Sequence, residues 1–197
     1  VSEKALIING EIVWESRKDG YFRRHEADVK NVTESGIVTF DSVRIFCDTL
    51  GQEKRIVICG AGHVSIPVIK IAVMMDCEVI VLEDRPMYAD HARQAGASQV
   101  ICEPFDEALD KIEGSADTYF VILTRGHRYD QICLEKIAQK EHAYIGMIGS
   151  RRRTALVKQS LAEKGIDKAV LDAVYTPIGL DIGAQTPAEI GVAIIAE

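Results

Sequence analysis

Residues 55–70 read RIVICGAGHVSIPVIK. An unbroken apolar run ends at two glycines spaced G-x-G, and behind them the apolar residues space themselves as on a helix. A strand, a tight turn and a helix in that order open a doubly wound α/β sheet. Gly60 permits the tight turn, and Gly62 lets a pyrophosphate come close to the backbone. Ser65 fills the third small position of the fingerprint, and Pro67 falls in the first helical turn, where its missing N–H costs little. The turn residues Gly60, Gly62, His63, Val64 and Ser65 thus lie where a helix start offers free N–H groups and a partial positive charge to an anion.

Downstream the unit repeats. CEVIVLED (77–84), SQVICE (98–103), DTYFVILT (117–124) and AYIGMIG (143–149) read as strands. Between and after them PMYADHARQAG, PFDEALDKIEG, RYDQICLEKIAQKE and SRRRTALVKQSLAEKG read as helices. A last strand is expected near AVYTPIG and a last helix from Pro187. Continuous apolar strands indicate a parallel sheet covered on both faces. The expected fold class is therefore α/β: a Rossmann-like, doubly wound, mostly parallel sheet over residues 54–197.

Residues 1–53 differ. LIINGEIVW carries a hairpin signal at Asn9-Gly10, KDGYF a second turn at Asp19-Gly20, and SGIVTF and SVRIFCD read as short strands. We expect a small β-rich segment here, with GQEKR as the polar boundary. The chain begins at Val1 and stops inside an apolar pattern, so a longer parent protein is expected.

The formal net charge is −7, which argues against a nucleic-acid or membrane-surface binder, since both need a basic face. Apolar residues make up 47% of the chain, yet no run reaches membrane-spanning length. The five cysteines are dispersed without a C-x-x-C pair, which points to reduced core thiols and a cytoplasmic protein.

The chemistry-bearing residues fall at the strand ends. Asp84, followed by Arg85, ends the second strand about twenty residues after the glycine turn, where a carboxylate binds a ribose hydroxyl. The fourth strand ends in TRGHRYD, which places Thr124 and His127 at the same edge. The fifth ends in YIGMIGSRRR: Gly146 and Gly149 make room near the ligand edge, Ser150 is a natural N-cap, and Arg151, Arg152 and Arg153 occupy the first helical turn. Cations there oppose the helix dipole, and a bound anion would resolve the conflict. Asp181 sits in a glycine-flanked loop before the capping box Thr186–Glu189. His63 and His127 are the candidate metal ligands.

GAGHVS, the DR after the second strand, T-R-G-H-x-x-D, YIGMIGSRRR and PIGLDIGAQTPAEI together resemble the xanthine dehydrogenase accessory proteins of the XdhC/CoxI family, over about residues 43–197. The resemblance implies a chaperone-like protein that binds the molybdenum cofactor (molybdopterin), protects it during sulfuration and delivers it to a client. The implied client is a molybdenum hydroxylase such as xanthine dehydrogenase, with a cysteine desulfurase as a further partner. Longer relatives carry a Gly-rich segment before a GC or GG element, and residues 1–53 contain nothing of that kind. The combined expectation is that the glycine turn and the Gly149–Arg153 helix start hold phosphates while His63 and His127 face the pterin or metal end. A homodimer is expected from apolar sheet edges. The competing readings are an NAD(P)-dependent oxidoreductase, which Gly60, Gly62 and Asp84 fit, and a nucleotide-sensing Rossmann domain.

Overall fold

The computed structural model describes residues 3–8, 10–32, 35–48 and 54–197. The chain divides into two compact units, Val1–Gly51 and Gln52–Glu197.

In the first unit, β1 (Ala5–Ile8) pairs antiparallel with β2 (Glu11–Glu15), and β3 (Gly36–Phe40) with β4 (Val43–Cys47). Ile8 faces Glu11 across the first turn, where Gly10 has φ +77°; Asn9 lies outside the described residues. In the second hairpin Asp41 and Ser42 both take positive φ, the conformation a two-residue turn between twisted strands requires. Two single-turn helices, α1 (Tyr21–Arg24) and α2 (Glu26–Val29), lie between the hairpins, where the sequence pattern predicts only a turn. Ile12, Val29 and Ile45 form this unit's buried core. The boundary motif GQEKR falls largely outside the described residues.

The second unit alternates β5 (Arg55–Cys59), α3 (Ser65–Met74), β6 (Glu78–Leu82), α4 (Pro86–Gln94), β7 (Gln99–Ile101), α5 (Phe105–Asp110), β8 (Thr118–Ile122), α6 (His127–Ile137), β9 (Tyr144–Met147) and α7 (Arg151–Glu163). It ends in α8 (Lys168–Ala173) and α9 (Pro187–Ala196). The five strands are parallel, in the order β7-β6-β5-β8-β9. This is the Rossmann arrangement.

Side chains on a strand alternate between faces, and β5, β6, β8 and β9 bury residues of both sets, while β7 at the sheet edge is only half-buried. Val57, Cys59, Ile80, Leu82, Phe120, Ile122, Ile145 and Met147 pack under α5, α6, α7 and α8. Ile58, Val79, Val81 and Val121 pack under α3, α4 and α9. Cys59 and Cys133 are buried in this core as free thiols.

The expected last strand reduces to a single bridge between Gly146 and Tyr175. Tyr175 donates to Ile145 O and accepts from Met147 N, both at 2.9 Å. Pro177 then has no N–H to extend the ladder. Gly146 makes room for this crossing rather than for a ligand: a Cβ there would stand 2.5 Å from Ile178 Cδ1 and from the Tyr144 hydroxyl. Among the described residues, no helix is long and apolar enough to cross a membrane.

Candidate functional site

The strand order reverses between β5 and β8, and the loops after these strands and after β6 and β9 meet the crevice that such a reversal leaves. Gly60 begins it with φ +103°. Its N–H donates to Leu82 O at 2.8 Å, and a Cβ would lie 2.6 Å from Leu123 O. Gly60 is therefore wedged between the ends of β6 and β8. Gly62 is different: a Cβ there would meet no heavy atom within 4 Å, so its backbone is sterically open. His63 is exposed, and Val64 half-buried at the N-cap of α3. Ser65 is fully buried, and its hydroxyl donates to Gly60 O at 2.7 Å. That hydroxyl serves the turn.

Two adjacent carboxylates at the tip of β6 go opposite ways. Glu83 is fully buried beneath the turn. It accepts hydrogen bonds from Ala61 N at 2.8 Å, Arg85 N at 3.1 Å and Arg85 Nε at 2.8 Å. Glu83 is not among the site residues expected from sequence; a carboxylate directly after four apolar strand residues is the signal that could have found it. Asp84 points outward and accepts a bidentate pair from Arg125, at 2.6 and 2.8 Å. Planar forks of this kind are among the stronger charge-assisted contacts. The Arg125 guanidinium holds the Asp84 carboxyl down at about 2. Arg125 also donates to the Tyr129 hydroxyl at 2.7 Å and lies 4.2 Å from the centre of that ring. Arg85 covers Tyr88 in the same way, at 3.7 Å. Asp84, assigned to a ribose on sequence grounds, thus carries an internal partner from 41 residues away.

A second buried carboxylate organises the far side. Thr124 Oγ1 donates to Asp130 Oδ1 at 2.5 Å, and Arg153 pairs with Asp130 Oδ2. Burial pushes the Asp130 pKa up, against the pull of Thr124 and Arg153. The crowding of cations at the start of α7 is thus relieved in part from within the chain. Ser150 caps the helix, accepting from Arg153 N at 3.3 Å, and Gly149 enters it at φ +151°. Arg151 and Arg152 are exposed, with no carboxylate partner among the described residues.

Between the first turns of α6 and α7 lies a cavity of about 300 Å³. It is lined by His127, Gln131, Ser150, Arg152, Arg153 and Leu156, with Val157. The fold thus gathers His127, Ser150 and Arg152 at one place. His63 does not line it; α3 and α6 leave the sheet toward opposite faces. Asp181 is exposed in its loop and does not line it either. Among the described residues, no cluster of three or more His, Cys, Asp or Glu side chains is placed to hold a metal ion.

Comparison with known proteins adds to this geometry. The family model of the XdhC Rossmann domain matches residues 56–197. A Bacillus subtilis protein described as a probable xanthine dehydrogenase subunit is 28% identical over 156 residues, 79% of this chain and 45% of that protein. The uncharacterized protein YqeB of Escherichia coli is 27% identical over 157 residues, 79% of this chain and 29% of that one. Among solved structures, a xanthine dehydrogenase from Bacillus halodurans superposes with a TM-score of 0.64 at 30% identity, over 73% of this chain and 41% of that one. The chain therefore spans less than half the length of each of these relatives.

Proposed function

The chain belongs to the XdhC family through its Rossmann domain, and on that premise we propose that it is an accessory protein which binds the molybdenum cofactor for a xanthine dehydrogenase-type hydroxylase. The observation that carries this reading is the cavity between α6 and α7. Arg152 brings a cation without a carboxylate partner among the described residues, and His127 stands opposite it. The first turn of α7 adds N–H groups that have no acceptor within the helix. This donor set suits a phosphate. Leu156 and Val157 supply an apolar wall for a flat ring. At about 300 Å³ the space is at the small end of ligand sites, so it fits the phosphate-bearing part of molybdopterin better than a dinucleotide form.

Bound, the cofactor would supply the molybdenum–dithiolene centre that the client enzyme uses. The chain's own residues hold the anionic end: Arg152 neutralises it, Ser150 orients it, and His127 donates from the α6 side. Asp130 fixes the Arg153 guanidinium, which keeps the start of α7 in register with α6.

The test uses cofactor released from a purified molybdenum hydroxylase, mixed with this protein under anaerobic conditions and passed through a sizing column. Pterin fluorescence after oxidation reports retention. Wild-type protein retains the cofactor, and Arg152→Ala and His127→Ala each weaken retention about tenfold, the scale of one charge-assisted contact. His63→Ala leaves it unchanged. Absence of retention by the wild type, or undiminished retention by both cavity variants, refutes the proposal.

A further inference from the structure

The tips of β5, β6 and β8 carry a second arrangement, apart from the cavity. In a doubly wound sheet a dinucleotide lays its pyrophosphate over the glycine turn and offers its ribose diol to a carboxylate at the tip of the second strand. Both carboxylates at that tip are already engaged here. Glu83 is buried and accepts from Ala61 N and from Arg85. Asp84 is held by both arms of Arg125. The steric side of the site stays open, since nothing lies within 4 Å of a Cβ built on Gly62. Admission of a nucleotide therefore turns on hydrogen bonding rather than on space.

We infer that Arg125 is a specificity-determining residue that keeps dinucleotides off the glycine turn by occupying the Asp84 carboxylate a ribose needs. A diol replacing Arg125 offers hydrogen bonds from neutral donors in exchange for a bidentate pair between two charges, and it leaves the guanidinium only Glu83, at 3.9 Å, as a counter-ion. The guanidinium is kept on target by two further contacts, the Tyr129 hydroxyl and the face of the Tyr129 ring. Its own side chain remains 36% exposed, so nothing in the core depends on it.

The experiment is a calorimetric titration of the full chain with NADH. Wild-type protein binds with a Kd weaker than about 1 mM, and Arg125→Gln tightens binding about tenfold, the scale of releasing one hydrogen bond to a charged group. The double variant Arg125→Gln/Asp84→Asn loses that gain, which separates a freed carboxylate from a merely altered surface charge. Arg125→Lys, which keeps the charge but not the fork, falls between wild type and Arg125→Gln. Wild-type binding as tight as that of Arg125→Gln overturns the inference, and so does an Arg125→Gln variant that gains nothing. Arg152→Ala leaves this titration unchanged, so the inference and the proposed cofactor site fail independently.

Discussion

Asp130 is 1% exposed and ties three elements together with one carboxylate. It receives Thr124 from the end of β8, pairs with Arg153 at the start of α7, and itself belongs to the first turn of α6. Removing it leaves the buried Thr124 hydroxyl only Gly126 O, at 3.2 Å, and deprives the Arg153 guanidinium of its carboxylate, while Arg153 Nε is already buried without an acceptor. Asp130→Ala is expected to cost about 3 kcal/mol, the range for breaking a buried pair from one side. Urea denaturation checks this through a lowered midpoint at unchanged slope; a loss under about 1 kcal/mol contradicts the assignment. Adjacent residues show what a sequence can convey at this scale. Glu83 and Asp84 are chemically alike neighbours, and strand periodicity stops where they begin. Glu83 is held by its near neighbour Arg85 and by Ala61 N, 22 residues away, and Asp84 by Arg125, 41 residues away. Local pattern carries no trace of the two distant partners.

At the level of elements the sequence is far more legible. β5, β6, β8 and β9 are buried on both faces, so each appears as a continuous apolar run bounded by polar turns, and all five strands, the half-buried β7 included, are found where such runs lie. The Ser150 cap and the Thr186–Glu189 capping box are short-range hydrogen-bond patterns, and both form as their sequences predict. The shortest helices leave no such signature. α1 and α2 are too short to show a period, and α8 starts at an Asp167 cap, whose carboxylate accepts from Ala169 N at 2.8 Å, and buries Leu171 alone. The two glycines of the first turn make separate predictions. Gly60→Ala meets a positive φ and a carbonyl 2.6 Å away, and is expected to lose about 2 kcal/mol or more. Gly62→Ala meets neither obstacle and should stay within about 1 kcal/mol of wild type. Thermal midpoints of the two variants decide it: equal losses would mean that the turn is not wedged as described.

On the scale of the whole molecule, the two units differ in how much core each has. Val1–Gly51 buries Ile12, Val29 and Ile45, whereas Gln52–Glu197 has two apolar layers on either side of a five-stranded sheet. Small cores give marginal stability, so unfolding in two steps is expected. Trp14 is the sole tryptophan and belongs to the first unit, while the long helices belong to the second. Tryptophan fluorescence is therefore expected to change at lower urea than ellipticity at about 222 nm. Coincident transitions would show a single cooperative body. Within the second unit, α9 lies against α3 so closely that a Cβ on Gly191 would stand 2.9 Å from Pro67. The earliest helix of the sheet is thus sheltered by the latest. During synthesis the ribosome releases α3 more than a hundred residues before its cover exists, and until Pro187–Ala196 emerges a nascent chain presents that bare greasy flank to whatever holdase is at hand.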